Sequence, residues 1–200
     1  MGDYRNYQQL MIWGKEGRDF LIHAREGSSG VAVIAPHGGG IEPGTMELAD
    51  AIAGDVNNFY CFEGIKRAKN DDLHITSELF DEPRGVDMVK RSKAVLALHG
   101  CEGYEESVYV GGLDTDLGEK IRISLIQAGF SAEPSPRPEI QGQSEWNICN
   151  RCRSGKGVQL ELSRGLRKSM FKDLTRDGRK SRTTIFHNFV SVLRDVLFDW

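Results

Sequence analysis

Residues 33–45, VIAPHGGGIEPGT, run from a predicted strand into a predicted helix. Together with the two residues before it, the first part forms the apolar run VAVIA, which is typical of strands buried on both faces. The segment PGTMELADAIAG predicts a helix, because Pro43 suits a first helical turn and Gly54 suits a C-terminal end. One histidine, three glycines and one glutamate lie between this strand and this helix.

Strands and helices are predicted to alternate along the rest of the chain. Further strands are predicted at DFLIHAR, NNFYCFEGI, KAVLALHG, ESVYVGG and GVQLELS, and further helices at EPRGVDMVKR, DTDLGEKIRISLIQAG and RTTIFHNFVSVLRDVLFDW. The last two helices carry apolar stripes at helical spacing, formed by Leu117, Ile121 and Leu125 and by Phe186, Phe189, Val190, Leu193 and Leu197. Residues 27–30, GSSG, predict a hairpin turn. We therefore expect an α/β fold, a single domain over residues 1–200 with three layers around a mixed, mostly parallel sheet.

Length and composition fit a soluble globular protein. The chain has 200 residues, of which 39% are hydrophobic and 28% are charged. No apolar run approaches the ~20 residues of a membrane helix, and the N-terminus lacks the pattern of a secretion signal. We therefore expect a cytoplasmic protein that binds no membrane. The C-x-x-C of Cys149 and Cys152 lacks the second pair of a structural zinc site, so these cysteines are predicted to be structural or incidental thiols.

The chain contains a strongly basic segment, which we call the basic block, although its net charge is −3. Residues 147–182 contain eleven Lys or Arg and three Asp or Glu, a charge of +8, which leaves −11 for the rest of the chain. Such a block indicates either an anionic partner or a solvated basic surface. Few aromatic residues interleave with these charges, as base stacking would require, so no nucleic-acid binding is expected. The block begins within residues 131–157, a stretch rich in proline that predicts a functional loop.

Polar side chains of the metal-binding type follow three predicted strands. His37 and Glu42 follow the VAVIA run, His99 ends KAVLALHG, and Glu161 lies in GVQLELS. Ligands in open α/β sheets bind beyond the carboxyl ends of the strands, so these side chains are expected to converge. Two imidazoles and one carboxylate can bind a catalytic zinc, and a second carboxylate can act as general base. The glycines between His37 and Glu42 would allow a sharp turn that lets both residues bind one ion.

The HGGG motif has an alternative role in esterases of the α/β-hydrolase type, where it forms an oxyanion hole. That fold also requires a G-x-S-x-G nucleophile motif, and the sequence contains none. The metal-site hypothesis is therefore favoured over a serine esterase.

Five segments, APHGGGIEPGT, LHITS, LALHG, NICNR and GVQLELSRGLR, together resemble the phage-associated poly-γ-glutamate hydrolase family. This family resembles zinc carboxypeptidases in its open α/β sheet and in its His, Glu, His zinc site. The resemblance implies a zinc-carboxypeptidase-like fold with one Zn²⁺ bound by His37, Glu42 and His99, and Glu161 as the general base. Zinc carboxypeptidases use the spacing H-x-x-E, whereas this sequence has H-x-x-x-x-E, so Glu47 remains an alternative ligand.

The resemblance also implies an anionic polymer, poly-γ-glutamate, as the substrate. Arginine binds carboxylates through a bidentate fork that lysine cannot match. Asn150 and Arg151 of NICNR correspond to a pair that grips a substrate carboxylate in zinc carboxypeptidases, and Arg164 and Arg167 are further candidates. His74 in LHITS is expected either to bind substrate or to orient a metal ligand.

The sequence as a whole thus predicts a zinc-dependent hydrolase that cleaves γ-glutamyl amide bonds. One alternative is a zinc amidase or carboxypeptidase that acts on another glutamyl or cell-wall peptide. Another is a phage-derived protein that has kept the fold and binds without catalysis, although the intact His37, His99 and Glu161 favour an enzyme. We expect a monomer that is cytoplasmic or released to the exterior on host lysis.

Overall fold

Seven strands form one mixed sheet in the computed structural model, which describes residues 4–200. The strands are β1 (Phe20–Arg25), β2 (Val31–Gly39), β3 (Asn58–Gly64), β4 (Ala94–Cys101), β5 (Ser107–Gly112), β6 (Ser131–Pro134) and β7 (Val158–Ser163). Their order across the sheet is β1-β3-β2-β4-β7-β5-β6. The pairs β1 with β3 and β5 with β7 are antiparallel, and the other four neighbouring pairs are parallel. The predicted α/β fold with a mixed, mostly parallel sheet is confirmed.

Six α-helices accompany this sheet in the described part of the chain. They are α1 (Tyr7–Leu10), α2 (Thr45–Ala53), α3 (Pro83–Arg91), α4 (Thr115–Gln127), α5 (Arg164–Ser169) and α6 (Thr184–Phe198). The Asp114 and Thr183 side chains accept hydrogen bonds from the first turns of α4 and α6, where backbone amides lack helical partners. No helix within residues 4–200 is long and apolar enough to cross a membrane.

Two apolar cores, one on each face of the sheet, hold the layers together. Side chains of β2 alternate between them, with Val31 and Val33 in one core and Ala32 and Ile34 in the other. The first core includes the buried apolar residues of α2, α4 and α6, namely Leu48, Ala49, Ile52, Ala53, Leu117, Ile121, Leu125, Phe186, Phe189, Val190, Leu193, Val196 and Leu197. The second includes Leu10 of α1, Met88 and Val89 of α3, and the aromatic residues Phe20, Phe62 and Phe80. The apolar stripes predicted for α4 and α6 are therefore buried.

Several local predictions differ from the structure. The hairpin predicted at residues 27–30 is wrong, because β3 lies between β1 and β2 in the sheet. Pro43 precedes the N-cap Gly44 and does not lie in the first turn of α2. The predicted loop at residues 131–157 begins with the short edge strand β6. Such a short strand is identified by its pairing with β5, which local sequence does not reveal.

The carboxyl ends of β3, β2, β4 and β7 lie side by side at one edge of the sheet. These four strands are consecutive neighbours, and each neighbouring pair among them is parallel. In this register His99 of β4 lies directly opposite Glu161 of β7. His37 near the end of β2 lies at the same edge, as expected for a ligand site in an open α/β sheet.

Candidate active site

The turn after β2 brings Glu42 back beside His37. The pairing of β2 with β3 shifts its register between Ala35 and Gly38, so the strand is irregular at the histidine. The Glu42 N–H then donates to the carbonyl oxygen of His37 at 2.9 Å. This closed turn places Glu42 Oε1 3.0 Å from His37 Nδ1, so the long H-x-x-x-x-E spacing still brings both side chains to one point.

The glycines of this turn are required for two different reasons. Gly39 has a φ of 68°, in the left-handed region that disfavours other residues. A Cβ atom on Gly38 would clash with Cys61 Sγ on the neighbouring strand β3. The sharp turn predicted from sequence thus depends on Gly39, whereas Gly38 allows the two strands to approach.

His37, Glu42 and His99 form a group that could hold a metal ion, with ligand atoms within 4.8 Å of one another. The Nδ1 atoms of the two histidines are 3.1 Å apart, and His99 Nδ1 is 3.6 Å from Glu42 Oε2. Both histidines are nearly inaccessible to solvent, at 1% and 2% exposure. The structure therefore brings the three expected ligands together in a buried position.

The hydrogen bonding of His37 directs a lone pair into this group. His37 Nε2 lies 2.7 Å from the carbonyl oxygen of Ile75, which can only accept, so Nε2 carries the proton. Burial lowers the pKa of His37 to about 4 against the opposing effect of Glu42, so the ring is neutral at pH 7. Its Nδ1 lone pair then faces a carboxylate oxygen and a second imidazole nitrogen. A bound cation would stabilise this convergence of electron-rich atoms, and metal-binding histidines commonly donate their other N–H to a carbonyl.

Glu42 is the carboxylate of the group, and Glu47 is not. Burial would raise the pKa of Glu42, but the surrounding imidazoles outweigh it and hold this pKa well below its ordinary value. The Gly100 N–H donates to Glu42 Oε2 at 2.9 Å and fixes the carboxylate. Glu47 instead pairs with Arg179 at 2.7 Å. The structure thus places Glu42, and not Glu47, among the residues that could hold a metal ion.

Two residues from the segment between β3 and α3 complete the surroundings of the histidines. The ring of His74 stacks on His37 with centroids 4.0 Å apart, and its Nε2 is 3.6 Å from Glu42 Oε1. Ser77 Oγ lies 3.4 Å from His99 Nε2. His74 therefore lies beside His37 and Glu42, and the two roles expected from the sequence, orienting a ligand or contacting a substrate, stay predictions.

Glu161 lies beside the histidines on the adjacent strand. The residue is 7% exposed, and its Oε1 accepts a hydrogen bond from Gln159 Nε2 at 3.0 Å. Burial raises the pKa of Glu161 to about 7, although the charge of His99 opposes the rise. Gln159 also accepts a hydrogen bond from Asn147 at 2.9 Å. Gln159 was missed from sequence, although its position two residues before Glu161 on a strand places both on one face.

A cavity of about 700 Å³ opens over these residues. His37, Glu42, His99 and Glu161 line its floor, together with His74. Residues 137–144 of the predicted functional loop form part of its wall. The site is thus both buried at the ligand atoms and accessible through the cavity.

Arg137 supplies a positive charge to this cavity and was not predicted from sequence. Its side chain is exposed and forms no ion pair with a carboxylate of residues 4–200. Its charge opposes the rise in pKa that burial causes at Glu161 and at Cys101, which line the same cavity. A single arginine between two prolines has no pattern that would reveal this position.

Asn150 and Arg151 do not line the cavity. The Asn150 side chain accepts a hydrogen bond from the Gly157 N–H at 3.0 Å and donates to two carbonyl oxygens of the long loop. The Arg151 guanidinium donates to the carbonyl oxygen of Phe80. Direct contact of this pair with a substrate stays a prediction that their positions do not support.

Arg164 and Arg167 also lie outside the lining of the cavity. Arg167 is 2% exposed and donates to the carbonyl oxygens of Pro43 and Cys101 at 2.9 and 3.0 Å. It therefore ties the turn after β2 to the end of β4. Arg164 is exposed at the start of α5. Their predicted substrate contacts likewise stay predictions, and the position of Arg167 indicates a structural role.

Comparisons with known proteins relate the chain to one family. A family model described as poly-gamma-glutamate hydrolase matches residues 4–192. The SPbeta prophage-derived UPF0714 protein YoqZ of Bacillus subtilis (strain 168) is 38% identical over 192 residues, which cover 95% of this chain and 69% of the relative. The UPF0714 protein YndL of the same strain is 36% identical over 193 residues, which cover 95% and 75%.

Two solved structures share the fold over its whole extent. One, named "Structure of Bacteriophage poly-gamma-glutamate hydrolase", superposes with a TM-score of 0.95 at 31% identity and covers 100% of this chain and 98% of its own. The other, named "YNDL-apo (Zinc-free)", has a TM-score of 0.94 at 35% identity and the same coverage.

Proposed function

Since this chain belongs to the poly-γ-glutamate hydrolase family, we propose that it is a zinc-dependent enzyme that cleaves γ-glutamyl amide bonds of poly-γ-glutamate. The observation that carries the proposal is the buried group of His37, Glu42 and His99 beside Glu161 on the floor of one cavity. The relative named as a zinc-free form supports zinc as the metal.

His37, Glu42 and His99 would hold the zinc ion, because two imidazoles and a carboxylate leave a position open to water or substrate. When bound, the ion would supply Lewis acidity that polarises the scissile carbonyl and makes a water molecule more acidic. The hydrogen bonds from His37 to Ile75 and from Gly100 to Glu42 orient two of the ligands in advance.

Glu161 would act as the general base and then as the general acid. Its carboxylate would take a proton from the attacking water and deliver it to the nitrogen of the leaving amine. In the metal-free protein, burial raises the pKa of this carboxyl to about 7, so the group can both hold and release a proton. A zinc ion nearby would lower this pKa and favour the carboxylate form that accepts the proton from water. Gln159 binds only Oε1, so Oε2 has no hydrogen-bond partner among residues 4–200 and is available to the reactants.

Arg137 would bind a carboxylate of the substrate near the scissile bond. Poly-γ-glutamate carries one free carboxylate per residue, and a guanidinium can bind it through two parallel hydrogen bonds. Arg137 lines the cavity and has no carboxylate partner within residues 4–200, whereas Arg151 is engaged with a backbone carbonyl. We therefore assign to Arg137 the role that the sequence suggested for Arg151.

The proposal is tested with purified, zinc-loaded protein and poly-γ-glutamate, whose chain length is followed by size-exclusion chromatography. Shortening of the polymer that is lost in Glu161→Gln supports the proposal. Poly-α-glutamate serves as a matched polyanion with the other linkage and is expected to remain intact. Cleavage of a different glutamyl or cell-wall peptide with the γ-polymer left intact would reject this substrate and favour the zinc amidase alternative.

A further inference from the structure

A second cavity, of about 350 Å³, opens beside the turn after β2. Gly40 and Pro43 of this turn line the second cavity, whereas Glu42 of the same turn and His37 near the end of β2 line the first. The remaining walls come from the end of β3 and the segment that follows it, within residues 63–70, and from residues 174–179. A single turn therefore separates the two cavities at the carboxyl edge of the sheet.

Four cations and one carboxylate line the second cavity, which we call the basic cavity: Lys66, Arg67, Arg176, Arg179 and Glu63. Two of the cations already have carboxylate partners. Lys66 Nζ is 2.8 Å from Asp72, and Arg179 Nε is 2.7 Å from Glu47. The carboxylate of Glu63 is 2.8 Å from His23 Nε2. Among the four cations, these ion pairs involve Lys66 and Arg179 and do not include the other two, Arg67 and Arg176.

Arg67 and Arg176 are exposed, and neither side chain forms a hydrogen bond or an ion pair within residues 4–200. They come from distant parts of the sequence, one from the segment after β3 and the other from the basic block. The fold thus brings two unpaired guanidinium groups to one concave surface. Such groups bind carboxylates in a bidentate manner.

We propose that the basic cavity is an accessory subsite that binds carboxylates of poly-γ-glutamate away from the scissile bond, through Arg67 and Arg176. This inference rests on the proposed function, since it takes the same polymer as the ligand. A long chain that crosses the turn after β2 contacts both cavities at once, and the second contact is then intramolecular. A short oligomer held at Glu161 gains only the first contact. The enzyme should therefore favour long chains.

The test compares the double variant Arg67→Ala/Arg176→Ala with the parent on long poly-γ-glutamate and on a short γ-glutamyl oligomer at low salt. We expect kcat/KM for the polymer to fall roughly tenfold, mainly through KM, because two charged contacts are lost. The kcat/KM for the short oligomer should change far less.

The control variant Lys93→Ala/Arg153→Ala also removes two positive charges, but near Ser92 and the start of β4 at the opposite edge of the sheet. It should match the parent on the polymer.

An unchanged kcat/KM for the polymer in Arg67→Ala/Arg176→Ala would overturn the accessory subsite, and so would an equal loss on both substrates.

The same variants are also compared by calorimetric binding of the polymer in a Glu161→Gln background. A parent that cleaves neither substrate contradicts the proposed function, while this binding comparison still tests the basic cavity. Weaker binding in the Arg67/Arg176 variant alone supports the subsite, and equal binding in all variants rejects it.

Discussion

His37 Nε2 donates a hydrogen bond to the carbonyl oxygen of Ile75 at 2.7 Å, so the other ring nitrogen of His37 faces the carboxylate of Glu42. A backbone carbonyl cannot donate, and this contact therefore selects one tautomer of the neutral ring. The lone pair of Nδ1 is held 3.1 Å from the Nδ1 of His99. The protein thus arranges electron-pair donors around a common point, as a metal site requires.

Glu161→Gln should lower kcat about 10²–10⁴-fold while the zinc content stays at the parental level, because the amide keeps the shape but cannot accept the proton. Steady-state kinetics and elemental analysis of the same preparation check both parts. Glu102 also lines the cavity but is exposed, so Glu102→Gln is the matched control and should keep most of the activity. Loss of zinc in Glu161→Gln would make Glu161 a ligand and not a base.

In the metal-free protein, Glu161 should lower the stability of the folded state by an amount that depends on pH. Burial raises the pKa of this carboxyl to about 7 in the folded state, above its ordinary value of 4.5. When the pKa of a group is higher in the folded state than in the unfolded state, its contribution to stability is complete at pH values below the unfolded-state pKa. That contribution is lost as the pH rises through the folded-state pKa. Glu161→Gln should therefore have a higher Tm than the parent at pH 8, with a difference that disappears toward pH 4.5. Thermal unfolding in a chelating buffer measures it, and a difference independent of pH would contradict the assignment.

Arg137→Lys should raise KM for poly-γ-glutamate roughly tenfold with a smaller effect on kcat, because the charge remains but the bidentate fork is lost. Arg151→Lys is the matched comparison. Its guanidinium contacts the carbonyl oxygen of Phe80 outside the cavity, so this variant should change stability more than KM. Kinetics on both variants decide between the two arginines. A KM effect in Arg151→Lys alone would restore the assignment made from sequence.

Gly38→Ala should destabilise the protein by about 1–3 kcal/mol, since the added Cβ would clash with Cys61 Sγ and overpack the contact between β2 and β3. Denaturant unfolding measures the change. The second substitution Cys61→Ala removes the sulfur and should restore part of the lost stability in the double variant. If the two destabilisations simply add, the close approach of these strands is not what requires the glycine.

The fold could be predicted largely from local patterns. The apolar run before His37 and the stripes of α4 and α6 identify buried elements, because their periodicities match a doubly covered strand and one-sided helices. The position of β3 between β1 and β2 could not be predicted in this way. Strand pairing depends on contacts between residues distant in sequence, and the GSSG turn carries no signal that separates a hairpin from a crossover.

In the candidate site, too, residues toward the ends of strands could be predicted from sequence, whereas Arg137 in the cavity wall could not. His37, His99 and Glu161 could be found because parallel strands place their carboxyl ends at one edge, so position on a strand predicts position in space. Arg137 and Arg151 lie in the long segment between β6 and β7, whose path is set by contacts such as that of Arg151 with Phe80. The family motif pointed to Arg151, whereas the residue of this segment that lines the cavity is Arg137, so substrate contact by Arg151 stays a prediction.

The most direct test of the central claim is the zinc content of purified protein, measured by elemental analysis in the parent, His37→Ala, His99→Ala and the control His187→Ala. His187 is exposed on α6, away from the cavity. The proposed site predicts about one zinc per chain in the parent and in the control, and strongly reduced zinc in each of the other variants, with the fold checked by circular dichroism. Unchanged zinc in both His37→Ala and His99→Ala would contradict it.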